Sequence, residues 1–204
     1  PVSGDGEVLT LRNPADHADT VGTVQHASTG QVQAALQAAH AFAPEWAKTP
    51  PVQRAAMLLQ AADLLQADAP RSMALLVREA GKTWAHAVAE LREAVDFLRY
   101  YAAQVQRDFD PSTHVPLGPV VCISPWNFPL AIFMGQVAAA LAAGNPVLAK
   151  PAEQTPAVAA LAVQTLWRAG VPRAAVQLLP GRGREVGQQL IEDARVQGVM
   201  FTGS

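Results

Sequence analysis

Asn127 stands between two prolines in the run Ser124-Pro125-Trp126-Asn127-Phe128-Pro129. An amide held on so stiff a backbone can aim its side-chain N–H at negative charge developing on an oxygen, which is the work of an oxyanion hole. An asparagine just ahead of a helix can equally cap that helix. A second run, Ala149-Lys150-Pro151-Ala152-Glu153-Gln154-Thr155-Pro156, sets an ammonium and a carboxylate three residues apart. Together they could hold ribose hydroxyls, Lys150 donating and Glu153 accepting. A carboxylate there also repels a 2′-phosphate, so Glu153 favours NAD over NADP. The same spacing also suits a surface ion pair. A third run, Leu179-Pro180-Gly181-Arg182-Gly183-Arg184-Glu185-Val186-Gly187, is one residue longer than the ordinary dinucleotide fingerprint, Gly-x-Gly-x-x-x-Gly replacing Gly-x-Gly-x-x-Gly. Its glycines allow backbone to approach a cofactor, or simply make a tight turn. In the fourth, Phe201-Thr202-Gly203-Ser204, exposed N–H groups and hydroxyls could meet a phosphate.

Each of these loops follows a short apolar run. Strands are expected over Pro119 to Ser124, Pro146 to Ala149, Val176 to Leu179 and Gly198 to Phe201, with helices between them over Phe128 to Ala143, Thr155 to Ala169 and Gly183 to Asp193. Val-Val-Cys-Ile and Val-Met-Phe lack polar alternation, which predicts strands buried on both faces in a doubly wound parallel sheet. Such a sheet binds ligands beyond the carboxyl ends of its strands. Before Asp110-Pro111 the texture is helical. An early hairpin around Asn13-Pro14-Ala15-Asp16 precedes a helix capped by Ser28 or Thr29, running from Gln31 towards Trp46 and interrupted or ended near Pro44. Met57, Leu58, Ala61, Leu64 and Leu65 mark the apolar face of a second helix. Pro70 opens a third that ends at Gly81, and Leu91, Ala94, Val95 and Leu98 mark a fourth ending near Arg107. The fold class is therefore α/β: a mainly helical lead-in over 1–110, a short connector over 111–118, and a partial Rossmann-like parallel sheet over 119–204.

Half of the 204 residues are hydrophobic and the net charge is −2, so a sizeable core is expected and a nucleic-acid surface is not. No apolar run reaches a membrane span and no signal-like N-terminus is present, so the chain reads as cytoplasmic. One cysteine, Cys122, excludes an internal disulfide and a multi-cysteine metal site. His17, His26, His40, His86 and His114 lack ligand spacing and suit solvated or capping roles; no metal is expected.

Taken in order, Pro-Trp-Asn-Phe-Pro, Gly-Asn-Pro-Val-Leu-Ala-Lys-Pro-Ala-Glu-Gln-Thr-Pro, Pro-Gly-x-Gly and Phe-Thr-Gly-Ser resemble the signature series of the aldehyde dehydrogenase superfamily. Asn13-Pro14-Ala15-Asp16-His17, Asp96-Phe97-Leu98-Arg99-Tyr100-Tyr101-Ala102 and the run Cys122 to Phe133 narrow the resemblance. They look like the pyrroline-5-carboxylate (glutamate γ-semialdehyde) dehydrogenase part of bifunctional proline-utilisation proteins. The short connector Asp108 to Gly118 fits that subgroup. The resemblance implies that Asn127 supplies the oxyanion-hole amide and that Lys150 and Glu153 bind the adenosine ribose. Ile123, Ser124, Pro125 and Trp126 would line the cofactor groove, Gly183 and Gly187 the adenine side, and Thr202, Gly203 and Ser204 the nicotinamide and pyrophosphate side. The sheet would be the family's five-stranded Rossmann variant, the cofactor NAD, and the reaction oxidation of L-glutamate γ-semialdehyde to L-glutamate in proline catabolism. A covalently joined proline dehydrogenase domain and a homo-oligomer are implied as partners.

The family's chemistry needs a thiolate nucleophile and a glutamate that activates water. Val121 and Ile123 place Cys122 inside a buried strand, where a neutral thiol is inert. In the family's order both groups fall beyond Ser204, so the chain is expected to be an N-terminal portion without its catalytic domain, inactive by itself and prone to associate through exposed apolar surface. Two alternatives remain: a dehydrogenase of another small semialdehyde, and a non-catalytic nucleotide-binding module.

Overall fold

The computed structural model describes residues 6–203. The chain opens with an antiparallel hairpin of β1 (Val8–Asn13) and β2 (Asp16–Gln25), closed by the Asn13 side chain accepting from the Ala15 N–H at 3.0 Å. Four helices follow: α1 (Thr29–Lys48), α2 (Pro51–Ala67), α3 (Ala69–Ala80) and α4 (Trp84–Asp108). Ser28 caps α1 in a full capping box with Gln31. Pro44 does not end this helix, contrary to expectation; α1 runs through it to Lys48. The reason lies two residues on, where Trp46 is almost fully buried. An internal proline costs about 3 kcal/mol, whereas burying an indole contributes about 4–6 kcal/mol.

The second half is a four-stranded parallel sheet of order β5-β4-β3-β6, made of β3 (Val120–Ile123), β4 (Val147–Lys150), β5 (Val176–Leu178) and β6 (Gly198–Phe201). The crossovers are α5 (Ala131–Ala142) and α6 (Pro156–Arg168), with α7 (Gln188–Ile191) before β6. The strands fall within a residue of the sequence reading, and the α/β class holds.

Two cores explain why β3 and β4 show no polar alternation. Val120, Cys122, Val147 and Ala149 pack with the helices α2 to α6, while Val121 and Leu148 point the other way, into a smaller cluster with Val32, Leu36 and Ala39 of α1 and with Leu190. Strand β6 departs from the expectation of burial on both faces: Val199 is 49% and Phe201 59% exposed. Met200 faces the main core, but among the described residues nothing covers the opposite side of this edge strand.

The helix expected over Gly183 to Asp193 is also different. Gly183–Gly187 form a single π-helical turn, and only Gln188–Ile191 are α-helical. A π turn takes up one residue more than an α turn. It thus absorbs the extra residue that spoils the ordinary glycine spacing. The connector opens with a turn over 111–113 and is largely exposed, and the buried Asn145 accepts from the N–H groups of Leu117 (2.7 Å) and Gly118 (3.2 Å) to fasten its end beside β4.

Candidate active site

The order of the sheet reverses at β3: the chain steps from β3 to β4 to β5 on one side and returns to the other side with β6. A crevice opens beyond the carboxyl ends of strands at such a reversal. Here it is a cleft of about 800 Å³. Backbone bonds run past the ends of the strands and tie its loops together, Ser124 N–H donating to the Lys150 carbonyl at 3.3 Å and Thr202 N–H to the Ile123 carbonyl at 3.1 Å.

Ten of the residues singled out from sequence line this one cleft. Ile123, Ser124, Pro125, Trp126 and Asn127 come from the loop after β3, Lys150 and Glu153 from that after β4, Gly183 from the π turn, and Thr202 and Gly203 from the end of β6. Gly187 is buried and underlies Lys150 rather than lining the cleft; a Cβ there would lie 3.5 Å from Lys150 Cδ. Ser204 falls outside the described residues. A recess of about 430 Å³ between β2, α3 and α6 is lined by Arg71 and Arg78, and among the described residues none of the candidate site side chains reaches it.

Two of the bland readings do not survive this geometry. Asn127 is exposed in the cleft and does not cap α5, whose first N–H groups, those of Leu130 and Ala131, are instead accepted by Glu90 Oε2 at 3.0 and 3.3 Å. Lys150 is no surface ion-pair partner, being only 4% exposed. Burial pulls its ammonium below the usual lysine range, partly opposed by the nearby Glu153 carboxylate. Its Nζ donates to the Pro151 carbonyl at 2.9 Å. Glu153 is exposed, and its Oε1 accepts from Gly183 N–H at 3.0 Å, so the carboxylate is aimed by the π turn across the cleft. Cys122 is wholly buried on β3 and desolvation pushes its thiol up to about 12, which leaves no thiolate at neutral pH.

The sequence model of the aldehyde dehydrogenase family matches residues 2–204. The chain belongs to the aldehyde dehydrogenase family. It is 62% identical over 200 residues to the bifunctional protein PutA of Klebsiella aerogenes, an alignment covering 98% of this chain and 15% of that protein. It is 41% identical over 222 residues to a 1-pyrroline-5-carboxylate dehydrogenase of Bacillus mycoides, covering 100% of this chain and 43% of the relative. Among solved structures, a Thermus 1-pyrroline-5-carboxylate dehydrogenase with bound NAD superposes with a TM-score of 0.92 at 37% identity, over 96% of this chain and 40% of that one.

Within this aldehyde dehydrogenase chain, several residues that shape the site escaped the sequence reading. Glu79 ends α3 and caps α6, its two oxygens accepting from Ala157 and Val158 N–H at 2.8 Å each. Burial pushes its carboxyl up to about 7 against the pull of those two donors. Glu90 likewise caps α5, through Oε2. Both carboxylates sit where a helix's apolar face should be, Glu79 in register with Ser72 and Leu76, and Glu90 with Ala87, Leu91 and Ala94. A lone charge on an apolar stripe was the available signal. Gln136 of α5 donates to Thr202 Oγ1 at 3.1 Å and so ties the end of β6 to the helix behind the cleft. Of the other chain features, His26 is buried, 4.0 Å from Glu7, rather than solvated, while His17, His40, His86 and His114 are exposed.

Proposed function

We propose that these residues form the cofactor-binding part of a longer NAD-dependent dehydrogenase that oxidises L-glutamate γ-semialdehyde to L-glutamate in proline catabolism. The observation that carries the reading is the single cleft at the sheet's reversal, in which an exposed amide, a buried lysine and an aimed carboxylate meet glycine-rich backbone. Its support from relatives is the run of proline-utilisation and pyrroline-5-carboxylate dehydrogenases that the chain resembles, one of them solved with NAD.

In this reading NAD bound in the cleft supplies the hydride acceptor. Lys150 and Glu153 hold the adenosine ribose, Gly183 and the π turn give the adenine side open backbone, and Thr202, Gly203 and Ser204 face the nicotinamide and pyrophosphate side. Ile123, Ser124, Pro125 and Trp126 form the groove wall between them, with Gly187 as the floor under Lys150. Asn127 donates its side-chain N–H to the oxygen on which charge develops when the aldehyde is attacked. Cys122 cannot be the attacking group, because its thiol is buried and neutral. The nucleophile and the water-activating glutamate therefore come from a catalytic domain outside these residues. A covalent proline dehydrogenase domain and a homo-oligomeric assembly complete the proposal, and no nucleic acid is bound through this segment.

The test is NADH formation by the full-length protein with glutamate γ-semialdehyde and with succinate and other small semialdehydes. A preference for the glutamate derivative supports the reading, and equal or better turnover of another semialdehyde overturns the substrate assignment. Binding of NAD without turnover of any aldehyde would leave a nucleotide-binding module instead.

A further inference from the structure

Lys82 lies just after α3, more than forty residues before the cleft loops in sequence, yet its ammonium is built into the loop that carries Asn127. Nζ donates to the Asn127 main-chain carbonyl and sits 4.4 Å from the centre of the Phe128 ring. The same ammonium lies 2.8 Å from Glu90 Oε1, an ion pair across the two helices' ends. Glu90 is 2% exposed and Lys82 13%, so the pair is shielded from water. Through its other oxygen, Glu90 accepts from Leu130 and Ala131 N–H. One buried ion pair therefore grips both ends of residues 127–131: the lysine holds the start and the carboxylate the end.

The approach of Lys82 depends on Gly81. That glycine adopts φ 64°, ending α3 in the left-handed conformation, and a Cβ there would meet Pro14 Cγ at 3.1 Å. Burying a charged pair is expensive unless its groups are further hydrogen-bonded, as they are here. A hydrophobic pair would fill the space with less penalty but could not fix a main-chain carbonyl and a helix N-terminus in one geometry.

We propose that Lys82, braced by Glu90, is a positioning residue for the Asn127 amide, setting its orientation towards the reacting oxygen. This rests on the reading of Asn127 as the oxyanion donor. A donor displaced by an ångström or less loses much of its effect on the charge it faces.

The experiment is a double-mutant cycle in the full-length dehydrogenase, read as the single-turnover rate of NADH formation and, separately, as NAD affinity by calorimetry. Asn127→Ala is expected to slow the rate about a hundredfold and Lys82→Met about tenfold, with NAD affinity changed less than twofold in either. The double variant is expected to be no slower than Asn127→Ala alone, and Lys82→Arg to recover most of the methionine variant's loss. If Lys82→Met does not fold, Lys82→Gln, which keeps a neutral N–H donor, takes its place in the cycle. A normal rate in the Lys82 variants while Asn127→Ala is slow, or losses that multiply in the double variant, overturns the positioning role alone. A normal rate in Asn127→Ala overturns the oxyanion reading and the positioning role with it.

Discussion

Glu153 shows how much of a residue's meaning comes from what aims it. A carboxylate in a loop is free to turn to solvent, but the Gly183 N–H holds Oε1 at 3.0 Å across the cleft. If it stands at the ribose, it selects against a 2′-phosphate by charge. Glu153→Ala is expected to weaken NAD binding and to raise the NADP-to-NAD ratio of kcat/KM roughly five- to thirtyfold, since a like-charge contact costs on the order of 1–2 kcal/mol; an unchanged ratio would remove Glu153 from the ribose. Cys122 makes the opposite case. Buried without a thiolate, it contributes volume rather than reactivity, so Cys122→Ala in the full-length enzyme is expected to leave the aldehyde rate unchanged and to lower the melting midpoint by a few degrees, at about 1 kcal/mol for the lost buried volume. A lost burst of NADH in that variant would contradict the core assignment.

At the scale of elements, two crossover helices are capped by carboxylates from the helical lead-in rather than by their own loops: α6 by Glu79 and α5 by Glu90. Thr155 and Leu130, at the local cap positions, make no side-chain cap bond. The lead-in therefore holds the parallel sheet in place through helix starts, not only through apolar packing. Glu79 makes this testable by pH. Its folded carboxyl lies near 7 against 4.5 for the ordinary group, so the folded state binds the proton more tightly than the unfolded. The resulting stability is fully present below about 4.5 and is lost as pH rises through 7, an effect of roughly 3 kcal/mol. Melting curves of the wild-type protein and Glu79→Gln are expected to converge or cross over this window, with the wild type losing ground as pH rises. Parallel curves from pH 4.5 to 7 would show that the folded carboxyl is not displaced. Pro44 belongs to the same scale: local chemistry argued for a helix stop, and burial of Trp46 beyond it prevailed.

For the whole molecule, the parallel sheet leaves Val199 and Phe201 of β6 bare on one face, next to the exposed Trp126 and Phe128 of the cleft rim. The 204 residues produced alone are expected to form no NADH from any aldehyde and to associate with rising concentration in sedimentation experiments, Phe201→Ser reducing the association. NADH formation by that chain would show that a nucleophile had been overlooked within it. The strands, their order of appearance, the loops after them and the family were legible in the sequence because each is a contiguous signal: an apolar run for a strand, a proline or glycine cluster for a rigid turn, and four motifs in fixed order. The gathering of those loops into one cleft was foreseen from the family resemblance and from the rule for doubly wound sheets. Three things were settled only by the tertiary structure. Lys150 is buried rather than paired at the surface, because its stem packs against the π turn at Gly187, a contact between segments far apart in sequence. The starts of α5 and α6 are capped by residues 40 and 78 positions or more away, because a buried charge on a helix stripe finds its partner only when two helices pack at one rotation. The bare face of β6 depends on which elements cover a sheet, and no local period of side chains records that.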